Sequence, residues 1–173
     1  MGADWVRLFN KQLCDEVRSL SGQEVETFVQ PRLSLLPESS IFRCGFEGNV
    51  PVSVRISHLQ AHGRTEEELK ADLVENLCVS AERVLLDYWA CYAEVFKSND
   101  PPGSITDYAL FPHLREQGYL LLRAEHLDMM LASAEEHKQD ARLMSEESFS
   151  TLRHWRGQCV RDTNYMVAYF YDY

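Results

Sequence analysis

The chain has 173 residues, 45% hydrophobic and 25% charged, enough apolar material for one domain with a real core and too short to favour two. Its net charge of −10 comes from two stretches, 65–97 with eight acidic against three basic residues and 125–147 with seven against two. Such acidic faces disfavour nucleic acid, whose phosphates need clustered Lys and Arg, and are equally those of a well-solvated surface.

From the N-terminus, Ala3 to Leu20 predicts a first helix, with Asp4 as cap, Trp5, Leu8, Phe9, Leu13, Val17 and Leu20 at spacings of three and four, and Ser21-Gly22 as its end. From Glu24 the period changes to two. Phe28 to Leu36 alternates Val29, Leu33 and Leu35 around Pro31, which confines it to a sheet edge or a broken strand. Ile41 to Phe46 predicts another strand, and Val50 to Ser57 a third, with Val50, Val52, Val54 and Ile56 on one side. A short loop centred on Gly48 makes these two a hairpin.

Thr65 to Lys97 predicts one long central helix. Thr65 caps it, Glu68 completes a capping box, and apolar rows run through Leu69, Leu73, Leu77, Val84 and Tyr88 and through Val74, Cys78, Leu85 and Trp89. Val79, Leu86 and Ala93 form a thin apolar line outside the main arc, which reads either as a second contact surface or as ordinary surface scatter. Asp100-Pro101-Pro102-Gly103 stops the helix. Residues 104–122 stay open between strand and helix. Ala124 to Met144 predicts a helix, Ser145 caps a last one carrying Phe149, Leu152, Trp155 and Cys159, and the chain finishes in a strand with Tyr165, Val167, Tyr169, Tyr171 and Tyr173 on one side.

The motifs for chemistry are sparse. Five separated cysteines with no Cys-x-x-Cys fit reduced core thiols better than a disulfide frame or a zinc site. His58 and His62 have metal spacing, but Gly63 follows and the pair reads as a strand end and a loop. There is no Gly-x-Ser-x-Gly elbow and no phosphate-binding Gly loop, so no catalytic residue, metal or cofactor is assigned. The basic, aromatic-interleaved patch Arg153-His154-Trp155-Arg156 with Arg161 fits intramolecular pairing with an acidic helix better than a nucleotide.

These elements predict a single α+β domain over 1–173: an antiparallel sheet of four or five strands packed on one long central helix, with a helical C-terminal half. No run approaches the roughly 18 apolar residues of a membrane span, so the expectation is a soluble cytoplasmic protein with no membrane partner. The function expected is a non-enzymatic protein–protein interaction module, an adaptor, chaperone or assembly subunit that binds another protein or itself, with a homodimer among its forms. Tyr165, Tyr169, Tyr171, Tyr173, Val79 and Leu86 are its candidate contacts, since tyrosines give large amphipathic area at low entropy cost. The alternative is a small intracellular enzyme or ligand-binding domain with a pocket between sheet and helices, using His58, His113 or His126 with neighbouring carboxylates.

Overall fold

A computed structural model describes residues 4–86, 99–104, 118–136 and 145–171. In chain order the elements are β1 (Asp4–Asn10), α1 (Lys11–Ser19), α2 (Gly22–Val29), a 3₁₀ stretch (Gln30–Leu35), α3 (Val52–Ala61), α4 (Glu66–Leu73) continued by a π-helical turn (Val74–Cys78), β2 (Val84–Leu86), β3 (Gly103–Ser104), β4 (Gly118–Leu122), α5 (Ala124–Glu136), α6 (Glu146–Arg161) and β5 (Tyr165–Tyr171). The fold is α+β, and its antiparallel sheet has the order β2-β1-β5-β4-β3. The chain divides into two compact units, Met1–Lys11 with Ser80–Tyr173 and Gln12–Val79.

The first unit contains the sheet. Val6 of β1, Val84 of β2, Leu122 of β4 and Val167 and Tyr169 of β5 share one core with Leu127, Met130 and Ala134 of α5 and Phe149, Leu152, Trp155 and Cys159 of α6. On the alternate positions of the same strands, Phe9, Leu121, Ala168 and Phe170 are buried as well. A strand covered on both faces is apolar nearly throughout, which is why Tyr119-Leu120-Leu121-Leu122 carries no period and is strand. Double burial also corrects the first predicted helix over Asp4–Asn10, while its Lys11–Ser19 part is helix as expected. Trp5, Leu8 and Phe9 have helical spacing, yet β1 is flanked by β2 and β5, and its two apolar faces imitate an i, i+3, i+4 row. Ser145 caps α6 as expected, its hydroxyl accepting from the Ser148 amide at 3.2 Å. Residues 137–144, in the last part of the helix predicted to Met144, lie outside the described residues.

The second unit is helical where three strands were expected. Phe28 to Leu36 is the end of α2 and the 3₁₀ stretch that Pro31 opens, Ile41 to Phe46 is mostly turns, and Val50 to Ser57 enters α3 at Val52. The alternating valines concealed a helical stripe, Val52, Arg55, Ile56 and Leu59, all buried, while Val54 is 52% exposed. The strand reading sets Arg55 on the side opposite the valines. Its guanidinium instead donates to the carbonyls of Val50 (2.8 Å), Phe42 (2.8 Å) and Gly48 (3.3 Å), holding the irregular segment against α3. Gly63, at φ +86°, ends α3, with the Arg64 amide bonded to the Leu59 carbonyl at 3.0 Å.

The long central helix is corrected too. It starts at Thr65 as predicted, with the Glu68 amide donating to the Thr65 hydroxyl at 3.2 Å, but the π-helical turn ends at Cys78. Ser80 then joins the sheet: its amide donates to the Leu8 carbonyl at 2.8 Å and its hydroxyl accepts from the Leu8 amide at 2.9 Å. Val84–Leu86 is strand, and residues 87–98 of the predicted helix lie outside the described residues. The C-terminal half contains β4 and β5 beside α5 and α6, so it is mixed rather than helical. No helix among the described residues is long and apolar enough to cross a membrane.

Candidate functional site

Two of the contacts expected from the sequence, Tyr169 and Val79, are buried. Tyr169 is 1% exposed, inside the sheet–helix core, because the tyrosine side of β5 is turned onto α5 and α6. Tyr165 is half-buried at the start of β5, Tyr171 ends that strand opposite Gly118, and Leu86 ends β2 opposite Asp4. Tyr173 and His113 lie outside the described residues.

Two features of the first unit offer contact instead. One is the β2 end of the sheet. β2 pairs with β1 on one side and is the last strand in that direction among the described residues. Leu85 stands there 56% exposed, at the end of a cross-strand row through half-buried Trp5 to Phe170, whose ring stacks on Trp5 at 5.8 Å. The expected partner residue Leu86 is its chain neighbour. Leu85 escaped notice because the helical reading put it in a buried row.

The other is a cleft of about 500 Å³ where α5 begins and β5 begins. Lys11 borders it, fixed by its amide, which donates to the Asn164 carbonyl at 2.8 Å. Arg123, Ala124 and Glu125 supply a second side, Thr163, Tyr165 and Met166 a third, and Cys159 of α6 also lines it. Burial pushes the Cys159 thiol up to about 11, so it stays protonated at neutral pH and serves as apolar wall. Arg123 is engaged already. It donates from Nη2 to Glu125 at 2.8 Å, pairs with Asp100 and donates to the Asp100 carbonyl at 3.0 Å, and the Glu125 hydrogen bond holds its guanidinium firmly charged.

Beside the cleft, His126 is fully buried and both ring nitrogens are engaged. The Arg123 amide donates to Nδ1 at 2.9 Å, so the proton sits on Nε2, which donates to the Asp100 carbonyl at 2.7 Å. This imidazole is a cap for α5 and a clamp on the 99–104 segment. His58 and His62 lie with ring centroids 4.1 Å apart, tilted by 38°, on α3 and its cap rather than straddling a strand end. Among the described residues no three His, Cys, Asp or Glu side chains are placed to hold a metal ion.

Two arginines of the basic patch on α6 are paired within the unit. Arg156 forks onto Asp128 at 2.8 and 3.3 Å, and Arg153 lies 4.0 Å from Glu135, both acids on α5. In the second unit Cys14 and Cys78 are buried and hydrogen-bonded, which lowers the Cys14 thiol and raises that of Cys78. Compared with known proteins, the chain matches no protein-family model, no curated protein and no solved structure.

Proposed function

We propose that this protein is a non-enzymatic protein–protein interaction module that pairs with another chain by strand addition at β2. The observation that carries this reading is that β2 is the last strand on its side of the sheet among the described residues, with Leu85 56% exposed. An edge strand presents unpaired amides and carbonyls, and a partner strand satisfies them while covering the apolar side chain. A second copy is the simplest partner, because two identical edges related by a twofold axis complete each other and join two sheets into one. Adaptor, chaperone or assembly-subunit roles all follow from such a surface. The engagement of His126, Cys159 and Arg123 in structural contacts supports binding over catalysis.

Leu85→Asp is the test, since an exposed position accepts a charge without harm to the core. Sedimentation across a concentration series is expected to show self-association in the wild type and its loss in the variant. Equal association of both proteins would overturn the β2 reading, and a wild type that stays monomeric would overturn the second copy as partner. A second reading, a small ligand-binding domain, is favoured by the cleft beside α5.

A further inference from the structure

The cleft has an uneven set of polar groups. The only carboxylate lining it among the described residues, Glu125, accepts from both Nε and Nη2 of Arg123, and that guanidinium is shared with Asp100, so this cluster is neutralised internally. Lys11 differs: its ammonium has no ion-pair partner among the described residues. The Thr163 hydroxyl and the Tyr165 phenol likewise have no hydrogen-bond partner there. Around these donors, Ala124, Cys159, Met166 and the Tyr165 ring give apolar wall.

One unpaired positive charge, two unengaged hydroxyls and apolar walls define a complementary ligand. It carries one negative charge with acceptor oxygens and an apolar body that fits about 500 Å³, a volume within the range of small-molecule sites. An ammonium is a point charge that pairs with one carboxylate. A phosphate dianion would need more positive charge than Lys11 supplies once Arg123 is committed to Asp100 and Glu125. A neutral ligand would leave Lys11 unused.

We infer that this cleft binds a small aliphatic or aromatic monocarboxylate, with Lys11 on its carboxylate and Tyr165 and Met166 against its apolar body. The site is separate from the β2 edge, and the two readings stand or fall independently. It takes the ligand-binding reading and gives it a chemical class.

The test is titration of the isotope-labelled protein with octanoate, octanol and inorganic phosphate, following backbone amide resonances. Octanoate is expected to shift Ala124, Thr163, Tyr165 and Met166, with octanol and phosphate leaving them in place. Lys11→Met is expected to weaken octanoate at least about tenfold. Lys11 is exposed, so the variant keeps the wild-type spectrum elsewhere. Its self-association is also expected to be unchanged, which separates this result from the β2 test. No shift at these amides with octanoate up to about 10 mM overturns the site. Equal binding by Lys11→Met, or equal shifts with octanol, overturns the carboxylate assignment, and shifts with phosphate alone overturn the ligand class.

Discussion

His126 Nε2 donates to the Asp100 carbonyl at 2.7 Å, across 26 residues of sequence, while Nδ1 of the same ring accepts the Arg123 amide. One fully buried imidazole therefore caps α5 and holds the 99–104 segment. His126→Phe keeps the ring and removes both bonds, leaving the part-buried Arg123 amide without its acceptor and the Asp100 carbonyl with the Arg123 guanidinium alone. The expected cost is about 1–3 kcal/mol in denaturant unfolding. A loss below about 0.5 kcal/mol, the range of ordinary surface substitutions, would show that the clamp does not stabilise the unit.

Arg55 organises the second unit through three carbonyls. A lysine carries the charge but not the planar fork, so Arg55→Lys is expected to lose about 1–3 kcal/mol and Arg55→Met at least as much. Calorimetric melting of both variants checks this. Unchanged melting of Arg55→Lys would mean that charge alone suffices.

The Ser21 amide donates to the Glu24 carboxylate at 3.0 Å, and this backbone bond foremost, with one from the Ser21 side chain, holds the Glu24 carboxyl below its ordinary 4.5. A depressed carboxyl stabilises the fold above its unfolded value, and the contribution is lost as pH falls through the folded one. NMR titration is expected to find Glu24 titrating below 4.5 in the wild type and higher in Ser21→Ala, which lacks the hydroxyl. Identical titration curves would show that the hydroxyl has no part in it.

Of the four described cysteines, Cys44 is exposed and Cys14, Cys78 and Cys159 are buried. Maleimide under native conditions is expected to label Cys44 and spare those three until denaturant is added. For Cys159, burial raises the folded thiol from 9.0 to about 11. The unfolded thiol thus ionises first, and stability present below pH 9 falls as pH rises from 9 towards 11. Replacing Cys159 with alanine should flatten that part of the pH–stability curve. Native labelling of Cys159 at the rate of Cys44 would contradict its burial.

Joining two chains of net charge −10 adds repulsion that salt screens. Self-association through β2 should therefore strengthen with ionic strength. Weakening with salt would point to a contact made by charge pairs.

What the sequence made legible was mostly local. Thr65 and Ser145 are caps because their hydroxyls can reach amides three residues on, which needs no distant partner. The helix from Ala124 and the last strand, over their described residues, and the α6 stripe also read correctly. What failed depended on neighbours far along the chain. β1 resembles a helix until β2 and β5 flank it, and the valines at the start of α3 resemble a strand until the carbonyls that Arg55 gathers are known. The helix from Thr65 has no local stop at Cys78, because the pairing of Ser80 with Leu8 ends it. The cleft was illegible for the same reason, since Lys11, Arg123 and Thr163 are adjacent only after folding.

The central claim is that the β2 edge is open in the single chain and covered on association. Hydrogen–deuterium exchange of the peptide spanning Val84–Leu86, read at low and high protein concentration, tests it most directly. The account predicts fast exchange of the outward-facing amides in the monomer and protection as the chains associate. Protection already complete in the monomer, or fast exchange in a fully associated sample, would contradict it.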